Sequence, residues 1–315
     1  MSIDTQGLEP AIRLERGPMQ NPCRARRILL VGGDEEYRSE EALPMLASIL
    51  SQRHGFETQT LLALDPATGK VSPECQTNIP GMEHLKSADL LVLFTRFREL
   101  PNEQMRYLDE YIQAGKPIIG LRTATHAFYY QRDPASPYAK YSFKSQTAGW
   151  EGGFGRRVLG ETWVSHHGDH GAEGTRGLID GTKAAADHPI LRGVSDIWTP
   201  TDVYAVTTLN GDDVDVLVWG APTTGMTADT PINVTKSIMP VAWTKSYRGE
   251  SGIDGRVFAT TMGSSVDFLN EGFRRLVVNA CYWALGMDDL VGERSDVTLH
   301  DDYAPSAFGF VGSQQ

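Results

Sequence analysis

Three histidines and an aspartate crowd into the five residues His166-His167-Gly168-Asp169-His170. Side chains alternate along an extended segment, so His167 and Asp169 share one face and His166 and His170 the other. Ligands drawn from these four could hold a divalent metal such as zinc, for which imidazole and carboxylate are ordinary donors. Without a metal, His166 could bind substrate, and His167 could act as an acid or base. Against both stands the plain reading of a polar, hydrogen-bonded loop whose glycines leave the backbone undetermined.

The other candidates sit just beyond apolar runs. Asp34 and Tyr37 belong to Gly32-Gly33-Asp34-Glu35-Glu36-Tyr37, where they either contact a ligand or form an acidic turn facing the dipole of the next helix. Arg96 and Arg122 each directly follow such a run. Their guanidinium forks suit planar or multi-oxygen partners; the alternative is that they pair with Glu36 or Glu151 and only tie loops together. His126 lies on the face of Arg122 if residues 123–128 are helical, as an acid or base or as a packed imidazole. Ser264, Ser265 and Asp267 follow the last apolar run, but Gly263-Ser-Ser-Val is not a GxSxG elbow, so helix capping is the plain role and substrate contact by Ser264 the functional one. Trp243, with Trp150, Phe154 and Trp163, offers an aromatic face that suits a sugar ring, though most tryptophans in a chain of this size are core.

The elements that must position these residues alternate. Arg27-Ile-Leu-Leu-Val31, residues 56–64, Asp89-Leu-Leu-Val-Leu-Phe94 and Lys116-Pro-Ile-Ile-Gly-Leu121 read as buried parallel strands. Helices are predicted from Ser39 to about Leu50 and from Pro101 to Gly115. This pattern predicts a doubly wound sheet, whose ligands sit outside the carboxyl ends of the strands. Residues 129–187 are rich in glycine and aromatics with little periodicity, which predicts an ordered insertion over that edge. Further strands are predicted at 203–209, 214–219, 238–244 and 256–261, then a helix over about 268–285. Residues 1–24 read as a leader, 25–287 as the domain, and 288–315 as a surface tail or an arm reaching a partner in a homo-oligomer.

Composition removes several classes of function. The 315 residues carry a formal charge of −11, with no lysine- or arginine-rich block, so nucleic acid is not an expected partner. No membrane partner is expected either, since no run reaches the 18 or so apolar residues a span needs and the N-terminus lacks a secretory signal. Cys23, Cys75 and Cys281 are too few and too far apart for a disulfide or zinc-finger framework, which fits a reducing, cytoplasmic setting. Neither a GxGxxG nor a Walker sequence occurs.

Five stretches, in order, resemble the ThuA-like (trehalose utilization) family of the class I glutamine amidotransferase-like superfamily. They are Ile28-Leu-Leu-Val-Gly-Gly-Asp34 with Tyr37, Gly115-Lys-Pro-Ile-Ile-Gly-Leu-Arg122, His188-Pro-Ile190, Pro240-Val-Ala-Trp243, and Gly255-Arg-Val-Phe-Ala-Thr-Thr-Met-Gly263 followed by Phe273-Arg-Arg-Leu276 and Trp283. The resemblance implies a flavodoxin-like, doubly wound, mostly parallel sheet with additional strands. Amidotransferases carry a cysteine on the turn after the strand that here ends at Leu121; Arg122 stands in its place, so glutaminase activity is not expected. In the family a histidine lies near that turn and another follows the glycine of the last strand. Here the first is displaced to His126, and Ser264 and Ser265 replace the second. The role implied is in carbohydrate metabolism on a small-molecule sugar or keto-sugar, by hydrolase, lyase or isomerase chemistry, with His126 or His167 as acid/base and Arg122 orienting substrate oxygens. The alternative is a non-catalytic binding or assembly protein that kept the fold.

Overall fold

The structure is a computed structural model that describes residues 12–16, 22–181, 185, 187–300 and 302–310. Its centre is parallel. Strands β2 (Arg27–Gly33), β3 (Glu57–Leu62), β4 (Leu90–Thr95), β5 (Ile118–Leu121) and β10 (Asp254–Thr260) pair in the order β3-β2-β4-β5-β10. β2, β4 and β5 are buried almost end to end, which is why they read as continuous apolar runs rather than alternating ones.

Antiparallel strands extend both edges. β1 (Ile12–Arg16) pairs with β3; beyond β10 come β9 (Met239–Arg248), β8 (Asp215–Pro222), β6 (Thr175–Ile179) and β7 (Trp198–Thr199). Two of these departures from expectation matter for the site. The stretch 203–209 does not enter the sheet; Tyr204 instead bridges to His166. β6 and β7 arise where glycine and proline had hidden any alternation.

Helix α1 (Ser39–Gln52) and the last helix, α3 (Glu271–Ala284), share one face of the sheet and its core cluster. Helix α2 (Asn102–Gln113) covers the other face beside the insertion, which contributes Tyr141, Phe154, Val158 and Leu159 to a second cluster. α3 is capped by Asn270, whose side chain accepts from the Phe273 amide, and not by Ser265 or Asp267. Those two lie in a separate 3-10 turn, where Asp267 accepts from the Gly263 and Ser264 amides and from the Thr201 hydroxyl.

The tail returns along its own chain. Val291 and Val297 are buried in the core shared with α3, His300 meets Ser48 on α1, and residues 303–310 run over the carboxyl ends of the strands. Among the described residues no helix is long and apolar enough to cross a membrane.

Candidate functional site

The turn after β5 carries the strain. Arg122, a non-glycine residue, has φ 41° and opens a 3-10 turn through His126. Side chains rarely adopt that conformation, and it persists only where surrounding structure fixes it. Gly263 supplies part of that fixing: a Cβ there would sit 3.2 Å from Leu121 Cβ and 3.3 Å from the Arg122 nitrogen. Gly155 docks the insertion against the same turn, since a Cβ would lie 2.1 Å from the Thr125 carbonyl oxygen.

The Arg122 side chain is fully buried between the rings of Tyr37 and Tyr204, at 4.5 and 4.0 Å. Its fork donates to the Asp202 carbonyl (2.7 Å), the Thr261 carbonyl (2.6 Å), the Tyr37 hydroxyl (3.2 Å) and Asp202 Oδ1 (2.8 Å). Burial opposes the guanidinium charge, but Tyr204, Tyr37, Asp202 and Asp267 more than offset it and hold its pKa well above the usual value.

Asp202 gathers everything else. Its Oδ2 meets Nδ1 of His166 at 2.7 Å and its Oδ1 meets Nδ1 of His170 at 3.1 Å. The two imidazoles lie 4.6 Å apart, and Nε2 of His170 reaches Glu36 at 3.1 Å. Burial would raise the Asp202 carboxyl, yet Arg122, His166 and His170 together hold it well below the usual carboxylate range. His170, bonded by Asp202 and Glu36 against an opposing desolvation, is pushed up to about 9, so it is an imidazolium at neutral pH.

The histidine segment pairs at its start, in a single bridge from His166 to Tyr204, then bends at 167–168 and enters a turn at His170. Residues 165–168 pair with 203–205 through His167 N to Val203 O and Ala205 N to Ser165 O. His166 on the bridge and His170 in the turn both reach Asp202. His167 turns outward to the Ser237 carbonyl (2.8 Å) and Asp169 to Lys236 (2.8 Å). The four residues therefore do not converge as one ligand set. His166, His170 and Asp202 do, with ligand atoms within 4.8 Å of one another. A cation there would compete with the proton on His170 and with the guanidinium that Asp202 already holds.

The remaining candidates divide between floor and core. Asp34 is buried, accepting from Thr123 Oγ1 (2.5 Å) and from the Glu36 and Tyr37 amides, and burial pushes its carboxyl up. It ties the turn after β2 to the turn after β5. Arg96 pairs with Glu35 (2.5 Å) and Glu36 (3.2 Å) at the rim. His126 is buried among Phe97, Phe143, Trp163 and Tyr204; burial first, then Arg96, Arg122 and His166, keep it neutral. Trp163 stands edge-on to His166 at 5.7 Å.

Trp243 and Ser264 do not reach the mouth. Trp243 lies on the interior strand β9, fully buried with its indole donating to the Leu159 carbonyl, so it has no free face for a sugar. Ser264 is also fully buried, its amide held by Asp267. Asp202, Tyr204 and Glu36 were missed as site residues. Glu36 had a local signal in the acidic turn, whereas Trp198-Thr-Pro-Thr-Asp202 has neither motif nor period.

The three thiols stand apart from the cluster: Cys23 lies beside Tyr282, Cys281 is buried in α3 with its thiol pushed up by burial, and the Cys75 carbonyl receives Arg98. Replacing all three by alanine should leave any turnover intact, at about 1 kcal/mol of stability for each of the two core positions, Cys23 and Cys281, and the unaltered chain should release no ammonia from glutamine. Loss of turnover in a folded variant would contradict this.

A second expectation follows from His170. Its folded pKa lies above the ordinary value of about 6.5, so its contribution is fully present below that pH and is lost as pH rises through about 9. Asp202 works the other way, contributing above about pH 3.9 and losing its contribution as pH falls below. Unfolding free energy should therefore fall by on the order of 1–2 kcal/mol between about pH 6.5 and 9, discounted because a third of His170 is solvent-exposed. Chemical denaturation across that range should show the slope, and His170→Gln should flatten it; an unchanged slope would contradict the assignment.

The doubly wound, mostly parallel sheet with antiparallel extensions defines a class I glutamine amidotransferase-like fold, with Arg122 on the strained turn after β5. The family model for ThuA, trehalose utilisation, matches residues 27–284, and the chain belongs to that family. Among solved structures, a ThuA-like protein from Parabacteroides merdae aligns with a TM-score of 0.53 at 16% identity, over 82% of this chain and 90% of that one. A ThuA-like protein from Bacteroides uniformis aligns with 0.51 at 13% identity, over 85% and 94%. At these identities the likeness is one of fold. No curated protein matches the chain.

Proposed function

We propose that this chain is an enzyme of carbohydrate metabolism that moves a proton at the carbon beside the carbonyl of a keto-sugar, as an isomerase or lyase. The observation that carries the reading is the convergence on one carboxylate, Asp202, of the His166 ring, the His170 imidazolium and a guanidinium at the carboxyl ends of the strands. A scaffold that had lost its chemistry would fill this place with apolar side chains.

His166 is the acid/base. Asp202 fixes its Nδ1, leaving Nε2 as the ring nitrogen that exchanges a proton, on a side chain 31% exposed. His166 takes the proton from carbon; the C–H pair becomes a C=C bond and the carbonyl π pair moves onto oxygen. The resulting enolate lies beside the His170 imidazolium, which supplies charge where charge develops. Reprotonation at the neighbouring carbon, with the hydroxyl proton passed to the former carbonyl oxygen, completes isomerisation; expulsion of a leaving group from the β carbon completes elimination. Arg122, with no exposed surface, holds Asp202 rather than touching substrate.

Glycoside hydrolysis by two carboxylates fits less well. It needs an acid and a base that both flank the sugar bond, whereas Asp202 and Glu36 are buried and committed to their partners. A cytoplasmic setting belongs to the same reading, supported by three cysteines that remain thiols.

A thermal-shift screen of sugars, keto-sugars and their polyols, with and without zinc, tests the proposal, because a ligand that binds the native state raises its stability. Keto-sugars should raise the melting temperature without added metal. Stabilisation by zinc alone, with no sugar effect, would overturn it.

A further inference from the structure

We propose that residues 303–310 form the outer wall of this site and that Phe308 is a specificity-determining side chain in contact with the substrate. The inference rests on the keto-sugar reading for its substrate, but not for its geometry. The Phe308 ring stacks on Tyr37 at 5.6 Å with a 29° tilt, and lies 5.8 Å from His170. Phe308 stands beside His170 and Trp163 beside His166, one aromatic ring against each member of the histidine pair. A ligand seated over both imidazoles meets an aromatic ring at each end, and an aromatic face suits the C–H face of a sugar.

The segment is positioned by the same loops that build the site. The Gly309 amide donates to the Glu36 carbonyl at 2.8 Å, and the Ser306 amide to Glu41 at 2.7 Å. Ser265 Oγ donates to the Ser306 carbonyl at 3.1 Å, Tyr303 Oη to the Ser265 carbonyl at 2.7 Å, and Arg96 packs over the Phe310 ring at 5.2 Å. These anchors come from the turns after β2, β4 and β10 and from the first turn of α1, so the wall is registered on the His170–Glu36 pair and not on a remote surface. Phe308 itself is only partly buried, which is what a side chain that meets a ligand needs and a purely structural plug does not.

The test compares the full-length chain with Phe308→Ala and Phe308→Trp. In the alanine variant KM for the preferred keto-sugar should rise about fivefold to tenfold, the equivalent of one lost aromatic stack. kcat should hardly move while the melting temperature falls modestly, because Phe308 packs against the core beside Tyr37; bulkier keto-sugars should gain relative to the preferred one, and tryptophan should restore the original order. Unchanged KM and unchanged selectivity would overturn the proposal. If the unaltered chain binds and turns over no sugar, the functional reading fails, and the wall is judged by the relaxation that a soluble nitroxide induces in the histidine ring protons. With Phe308→Ala, relaxation at His170, now 35% exposed, should rise about twofold relative to the exposed His84. No change at His170 would overturn the wall.

Discussion

Asp202→Asn should lower the unfolding free energy by about 3–5 kcal/mol, the cost of leaving a buried charge without its partner. The side chain is isosteric, so the loss comes from charge: Arg122 stays buried between Tyr37 and Tyr204 with no carboxylate, and the His170 imidazolium keeps only Glu36. Turnover should fall as well, because nothing then fixes the His166 tautomer. The companion variant Arg122→Met with Asp202→Leu should recover much of the stability, since well-packed apolar pairs often match buried ion pairs, while remaining inactive. That contrast separates a pair kept for chemistry from one kept for folding. Equilibrium denaturation decides it, and a loss below about 1 kcal/mol for Asp202→Asn would show the carboxylate is not the hub.

How far the sequence carries can be followed residue by residue. β2, β4 and β5 were legible because burial on both faces makes a strand continuously apolar, and Arg122 was legible because it follows one of them directly. The grouping of His166 with His170, and of His167 with Asp169, was legible, although the segment bends and turns where an extended run was expected. Which pair turns inward was not, because it depends on pairing with residues 203–205, a stretch whose apolar pattern suggested a sheet strand. Asp202 left no local trace, since its partners lie 80 residues away in Arg122 and 36 away in His166, and a charge pair of that separation has no period. Trp243 misled for a related reason: its ring is apolar enough for core or sugar, and only its place on an interior strand decides between them. Phe308, in the short aromatic run Phe308-Gly-Phe310 with no helical or strand period, gave no sign that the chain brings it back to Tyr37.

His166→Asn should cut kcat by about 10²–10⁴, the usual weight of a general acid/base, with little change in stability. The asparagine amide can still donate to Asp202 Oδ2 where Nδ1 does now, and the ring it replaces is partly exposed. His167→Asn, which removes only contacts to the carbonyl and hydroxyl of Ser237, should leave kcat within about twofold of the parent and serves as the matched control. A similar loss in both variants would point to disruption of the segment rather than to a proton-transferring group.

Proton transfer by His166 is tested most directly by wash-out of substrate hydrogen in deuterium oxide, followed by proton NMR on the keto-sugars that raise the melting temperature. The expected result is loss of the signal from the carbon beside the carbonyl with the unaltered protein, and retention of that signal with His166→Asn. Retention with the unaltered protein, or equal loss with both, would contradict the assignment of His166 as the base.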